Sequence, residues 1–365
     1  MRVLMTADAA GGVWTYSLDL CACLARNGVE IVLATLGAPL TPMQRAAVAG
    51  LSGAQLEEST FKLEWMTEPW ADLEAAGHWL LHLEREHLPD VVHLNHLMHA
   101  DLHWAAPVLV TGHSCVASWW EAVRGTPLPA QWLTYKTRVS HSLQAADVVV
   151  SPTQTMLSAL SRHYGPLPAT AVVPNGRDPV QFSRVSRKEH LVLCAGRMWD
   201  AAKNSRALAA VAPLVEWPIC IAGEDVSPSG QRAELFGANL HFLGTLTPEE
   251  LASWYGRAAI YALPARYEPF GLSVLEAALS GCALVLGDVP SLREIWGDAA
   301  CYVPPDDHSR LRERLSDLIW NEAARTELAT RAAEVAARLS AASTAQGYLH
   351  VYRRLTDKRR AAGMA

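Results

Sequence analysis

RYEPFGLSVLEAALSG, residues 266–281, lies between two apolar runs, AIYALP (259–264) and ALVLG (283–287). A buried strand ends near Pro264, a helix starts near Gly271, and a second strand follows. The same β–loop–α alternation extends in both directions. RVLM (2–5), EIVLAT (30–35), DVVHL (90–94), PVLVT (107–111), DVVVS (147–151) and TAVVP (170–174) form one set of short apolar runs. LVLCAG (191–196), PICIAG (218–223), LHFLG (240–244), AIYALP, ALVLG and ACYVP (300–304) form a second. Such runs read as strands buried on both faces, with helices covering a parallel sheet. The expected class is α/β, with two Rossmann-like domains whose sheets face a central cleft. PNGRDPVQFSRVSRKEH (174–190) is polar and broken by Pro and Gly, as a linker is. Boundaries are expected at 1–180, 181–345 and 346–365, the last a C-terminal helix. The chain reads as helical from about 306 onward, with a break or kink at Gly347.

The chain has 365 residues, enough for two cores. Half of it is hydrophobic, 19% is charged and the net charge is -6, so no global basic field recruits nucleic acid. Seven cysteines are an odd, irregularly spaced set, which fits a reducing compartment. MRVLMTADAAGG lacks the apolar core of a secretory signal, and no apolar run reaches the ~18 residues of a membrane span. The expected location is cytoplasmic, with peripheral contact at the inner face of a membrane left open.

Four segments carry chemistry. In RYEPFGLSVLEAALSG, Glu268 precedes the helix and Glu276 sits more than a turn inside it. The N–H groups of Phe270, Gly271, Leu272 and Ser273 make an anion site at a helix start. Carboxylates repel phosphate, so the two Glu suit sugar hydroxyls. One site for both groups suits a sugar nucleotide. The spacing also fits a helix with one Glu placed for its dipole and a second on its surface. In CAGRMWDAAKN (194–204), Arg197 and Lys203 follow a strand and suit a diphosphate. They also suit a solvated loop. In TADAAGGVWTYS (6–17), Gly11 and Gly12 join strand one to helix one, as a phosphate loop or a plain tight turn. In TGHSC (111–115), His113 follows a strand, where it can meet a substrate or be structural.

Together these segments resemble the family 4 glycosyltransferases of the GT-B class, over nearly the whole chain. Glu268-Pro269-Phe270-Gly271-Leu272 with Glu276 is similar to the family's paired-Glu motif. Gly196-Arg197 with Lys203 resembles its diphosphate-gripping pair. Gly11-Gly12 and His113 resemble its N-terminal glycine loop and active-site His. IAGE (221–224), which ends in Glu224, and FLGTLTPEEL (242–251) resemble loops around the nucleotide base. The resemblance implies a retaining, metal-independent transfer of a hexose-type sugar from a nucleoside diphosphate, UDP or GDP above all, with no cofactor. Glu268 would contact the sugar, Glu276 the ribose, and Arg197 and Lys203 the leaving diphosphate. The acceptor is left open between a saccharide, a lipid-linked molecule and a small molecule. A GT-B epimerase or phosphorylase, or a non-catalytic nucleotide-binding partner, stays as an alternative. Arg197 and Lys203 stand one residue further apart than the common pattern, and Arg177 follows Asn-Gly where an aliphatic residue is usual.

His96, His99 and His103 are expected to share a helical face, where a zinc site is conceivable without a supporting Cys or Glu pattern. Eight of the thirteen Trp fall in the first domain, as core or as surfaces for sugar or a membrane interface.

Overall fold

The apolar runs become the strands of two all-parallel sheets. In this computed structural model the described residues are 1–9, 11–183, 187–227, 230–233 and 235–363. Arg184, Val185 and Ser186 of the expected linker lie outside them. The chain divides into two compact units. One holds Met1–Glu121, Gly125–Gly176 and the segment from Ala341 on, and the other holds Ala122–Arg124 and Arg177–Ser340.

The first unit contains β1 (Arg2–Asp8), β2 (Glu30–Leu36), β3 (Ala54–Glu58), β4 (Val91–Leu94), β5 (Val108–Thr111), β6 (Val148–Ser151) and β7 (Ala169–Val172). Their order in the sheet is β3-β2-β1-β4-β5-β6-β7. Between them run α1 (Gly11–Arg26), α2 (Pro42–Ala49), α3 (Trp70–His87), α4 (Val116–Arg124), α5 (Leu133–Ala145) and α6 (Gln154–Tyr164). The second unit contains β8 (Glu189–Ala195), β9 (Ile219–Ala222), β10 (Leu240–Gly244), β11 (Ala258–Leu263), β12 (Ala283–Gly287) and β13 (Cys301–Val303), in the order β10-β9-β8-β11-β12-β13. Its helices are α7 (Ser205–Val211), α8 (Pro248–Arg257), α9 (Leu272–Leu279), α10 (Pro290–Trp296), α11 (His308–Trp320) and α12 (Glu322–Ala336). The last helix, α13 (Ala341–Gly363), returns to the first unit and packs on α1.

Each sheet starts in its middle. β1 pairs with both β2 and β4, through Val3↔Ile31 and Val3↔Val91. β8 pairs likewise with β9 and β11. The chain adds strands on one side, then crosses over and adds them on the other. Open α/β sheets bind ligands outside the strand carboxyl ends at this switch point. The switch points here lie between β1 and β4 and between β8 and β11.

Three local readings differ from the structure. AQLEE of β3 forms a half-exposed edge strand whose charges hide it from a search for apolar runs. The stretch after β4 is a chain of bends, so His96, His99 and His103 share no helical face. α13 runs through Gly347 without a break. A Cβ on Gly347 would stand 2.8 Å from Val173 Cγ1, so the glycine lets the helix approach the segment just after β7 rather than ending it.

Candidate active site

In the second unit, β8 delivers Gly196 and Arg197 to the switch point. A Cβ on Gly223, at the end of β9, would fall 1.8 Å from the Gly196 carbonyl oxygen, so only glycine allows these two loops to touch. The loop after Arg197 folds tightly. The Asp200 side chain accepts from the Ala202 N–H at 2.9 Å, and a single 3-10 turn over Ala201–Lys203 carries Lys203 inward. Lys203 Nζ donates to Glu268 Oε2, and both side chains are largely buried. Arg197 remains half exposed, 3.9 Å from Asp200 and with its guanidinium 5.3 Å from the centre of the Trp199 ring. Trp199 in turn donates from its ring N–H to exposed Glu224 at 3.3 Å, and Met198 N–H donates to the Glu224 carbonyl at 2.7 Å. The extra residue between Arg197 and Lys203 is thus taken up by a turn, and Trp199 lies against Arg197.

The loop after β11 supplies the facing wall. Ser291 donates to the Glu268 carbonyl and fixes the loop. Gly271 has φ +88 and a Cβ there would crowd Val274 and Glu268, so a glycine is required where α9 begins. No side chain caps α9. Leu272 and Ser273 contribute the first-turn N–H groups that a helix leaves without an internal acceptor. The Ser273 hydroxyl lies 2.8 Å from the Tyr261 hydroxyl, which is 3.1 Å from the Ala195 carbonyl. Tyr261 has one proton to give, and donation to Ala195 leaves Ser273 as the donor to Tyr261. The buried Phe270 side chain belongs to the core. Burial pushes Tyr261 well above its usual range.

Glu276, inside α9, pairs with Arg177, Nε to Oε1 2.9 Å, both residues buried. Burial first, and then the Glu276 charge, push the Tyr255 hydroxyl well above its usual range. Neither Glu268 nor Glu276 is therefore a free carboxylate. A buried charge needs a partner, and the chain supplies a cation to each. The structure joins Lys203 to Glu268 and sets both beside the start of α9, with Arg197 on the same loop as Lys203. Glu276 it joins to Arg177 instead.

In the first unit, Gly11 and Gly12 open α1 just beyond β1. His113 follows β5, and its Nε2 lies 2.9 Å from Asn95 Oδ1, an oxygen that accepts. Its ring stands edge-on to Tyr16 of α1, with centroids 4.6 Å apart. Burial pushes His113 down to about 3. Behind it lies a buried polar cluster. His93 meets the Tyr352 hydroxyl and the Thr111 hydroxyl, each at 2.7 Å, and stacks on Tyr348. Among the described residues no group of three His, Cys, Asp or Glu suits a metal ion, and no helix is long and apolar enough to cross a membrane.

Asn204 and Arg177 carry more of the site than their sequence context suggests. Asn204 is buried in a left-handed conformation and donates to the Pro264 carbonyl at 2.9 Å and the Pro305 carbonyl at 2.7 Å. It also accepts from Arg266 at 2.5 Å. One amide thereby ties three loops together. Its signal was an Asn directly before a helix, a residue that tolerates left-handed backbone.

A family model described as Glycosyl transferases group 1 matches residues 189–321, and one described as Glycosyltransferase Family 4 matches residues 10–181. The D-inositol 3-phosphate glycosyltransferase of a Nocardioides species is 25% identical over 410 aligned positions, covering 96% of this chain and 86% of its own length. The O-antigen chain mannosyltransferase B of Escherichia coli is 35% identical over 89 residues, 23% of each chain. Among solved structures, sucrose-phosphate synthase from Thermosynechococcus elongatus superimposes with a TM-score of 0.82 at 18% identity, over 98% of this chain and 100% of its own. Anabaena HepE, solved in complex with UDP and glucose, gives 0.74 at 14% identity, over 97% and 100%. At such identities the structural likeness speaks for the fold, which is the GT-B fold.

Proposed function

We propose that this chain, which belongs to the group 1, family 4 glycosyltransferases, moves a hexose from a nucleoside diphosphate to an acceptor hydroxyl, with retained anomeric configuration and without a metal ion. One observation carries this reading: a buried ammonium–carboxylate pair, Lys203 and Glu268, beside the uncapped start of α9 at a topological switch point.

The chemistry follows from that arrangement. Lys203 has three N–H donors, and Glu268 takes one. The others are available to diphosphate oxygens, with Arg197 on the same loop and the Leu272 and Ser273 amides opposite. Charge that builds on the leaving oxygen then meets two cations and a helix N-terminus already in place. The remaining lone pairs of the Glu268 carboxylate accept from sugar hydroxyls. In the reaction the bond from the anomeric carbon to the phosphate oxygen breaks, and a bond to the acceptor oxygen forms on the same face. The departing phosphate takes the acceptor's proton, so nucleoside diphosphate and glycoside are the only products. The donor residues in this reading are Arg197, Lys203, Glu268, Gly271, Leu272 and Ser273, with Glu224 near the base; in the first unit, Gly11, Gly12 and His113 are read separately as substrate contacts.

The test begins with UDP-, GDP- and ADP-sugars screened by thermal unfolding. A ligand at 100 times its dissociation constant stabilises by ~2.7 kcal/mol. Proton NMR of the product made from the stabilising donor then reads the anomeric configuration, with and without EDTA. Lys203→Ala is expected to lower turnover about a hundredfold or more. An inverted product, or turnover abolished by EDTA and restored by a divalent cation, would sink the corresponding part of the proposal.

A further inference from the structure

We propose that Asn95 locks His113 as a hydrogen-bond acceptor toward the substrate, so that the group meeting its ring is a hydroxyl. The inference rests on the reading of His113 as a substrate contact and adds which proton it carries.

Two backbone carbonyls, those of Thr6 and Leu73, fix where the protons lie. Asn95 follows β4 and is buried, and its Nδ2 lies 2.8 Å from the Thr6 carbonyl oxygen. A carbonyl only accepts, so the amide's NH2 end is committed to Thr6. Its Oδ1 is then the atom 2.9 Å from His113 Nε2. An amide oxygen also only accepts, so Nε2 carries the proton. Burial holds the ring neutral at ordinary pH, pushing His113 down to about 3. With one proton on the ring, Nδ1 bears the lone pair.

A second chain of hydrogen bonds pins Asn95 from behind. His99 Nε2 lies 2.8 Å from the Leu73 carbonyl and must donate to it. His99 Nδ1 then accepts from His96 Nε2 at 2.8 Å. His96 Nδ1 accepts from the Thr6 hydroxyl at 3.0 Å. The Thr6 oxygen in turn accepts the Asn95 backbone N–H at 2.9 Å. Burial lowers both His96 and His99, which keeps each ring to a single proton. Every proton from Leu73 to His113 therefore has one permitted direction. This is a use for the histidine cluster other than metal binding.

The titratable groups around His113 agree with a neutral ring. Tyr16 of α1 stands edge-on to it, and His93 of β4 lies near enough to feel its charge. Tyr348 of α13 packs behind Tyr16. Burial raises both tyrosines and lowers His93 to about 3, so all three are uncharged near neutrality. A bare Nδ1 attracts a hydroxyl and repels a phosphate or carbonyl oxygen. Asn95, His96, His99 and Thr6 are positioning residues in this scheme, and His113 alone touches substrate.

Nitrogen-15 NMR of the ligand-free full chain labelled at histidine reads the tautomer directly, with His113→Gln to assign the signal. The expected signature is a protonated Nε2 and an unprotonated Nδ1 from about pH 5.5 to pH 8. A protonated Nδ1 in that range overturns the proposal whatever the activity. The second arm uses Asn95→Asp and the nucleotide sugar that stabilises the wild type most in the screen above. A carboxylate at position 95 favours the imidazolium, so His113 gains a proton on Nδ1 as pH falls. Relative to wild type, kcat/KM for Asn95→Asp is expected to fall about tenfold between pH 8 and pH 5.5, as His113 titrates in the same window. A pH profile parallel to that of wild type overturns the positioning role. Wild-type turnover by His113→Gln with the tautomer intact overturns instead the substrate contact beneath it, so the two failures are told apart.

Discussion

Arg177 shows how a single residue can change what a motif means. Glu276 reads in the sequence as a carboxylate waiting for hydroxyls, yet in the structure it is buried and ion-paired to Arg177 at 2.9 Å. Arg177 also reaches Gln181 at 3.1 Å and stands over the Phe182 ring. Removing one partner of a buried pair leaves a charge without compensation, at a cost of about 3–5 kcal/mol. Arg177→Leu is therefore expected to destabilise the fold by about 3 kcal/mol or more, and Arg177→Leu/Glu276→Gln to recover most of the loss. Urea unfolding of both variants decides it. A single-variant loss below about 0.5 kcal/mol would mean that the pair contributes little. The pairing was not legible in the sequence, because residues 177 and 276 are joined only by the folded second unit. Lys203 and Glu268 were legible as site residues, though not as partners of each other, for the same reason.

Among elements, α9 shows most clearly how the site is supported. Its N-terminus opens at Gly271 without a capping side chain, while its C-terminus is closed from outside. Lys188 donates to the Ser280 carbonyl at 2.6 Å, beyond the end of α9, and to the Tyr255 and Gly256 carbonyls of α8 at 3.1 and 2.7 Å. One ammonium thus satisfies the ends of two helices and complements their dipoles. Lys188→Met keeps the side chain's length and removes the donors. It is expected to lower stability by about 2–3 kcal/mol, since bonds to a charged donor are the strong ones. Chemical denaturation checks this, and an unchanged midpoint would show that water replaces the ammonium. Strands and helices were largely readable beforehand because burial on both faces leaves uninterrupted apolar runs, as in Val3, Leu4 and Met5 of β1. β3 escaped because an edge strand needs no such run. The histidine stretch after β4 is not legible as bends, because residue spacing alone does not separate a helix from successive bends, and His99 adopts a positive φ of 75.

At the scale of the whole chain, the unusual ingredient is buried, neutral imidazole. His93 is pushed down to about 3, chiefly by burial, and His96 and His99 shift in the same direction. In the unfolded chain such rings titrate near 6.5. For His93, between that value and about 3 the unfolded state binds a proton that the folded state refuses, so stability rises with pH across this window and is lost on acidification. His93 contributes about 1.4 kcal/mol per pH unit inside it, and His96 and His99 act in the same direction. Guanidinium unfolding at pH 7 and at pH 5 is expected to show a marked drop at the lower value. Equal stabilities would mean that these histidines take up their protons in the folded state. The two-unit architecture was legible from the restart of the strand pattern after residue 188. What closes the first unit was not, since the hydrogen bond from His93 to Tyr352 spans 259 residues and leaves no local trace.

That same bond sets an order of events during synthesis. The ribosome makes all of β1 to β7 first, but Tyr348 and Tyr352 of α13 emerge only after the second unit has been made. Until then His93 and Thr111 lack partners from that helix, and the face of α1 that it covers stays wet. The second unit, Arg177–Ser340, by contrast has almost all of its strands and helices in hand before α13 is translated. The half of the protein that is begun first is therefore finished second, and a nascent chain stalled short of Ala341 would carry an incomplete first unit and a second unit with every residue already made.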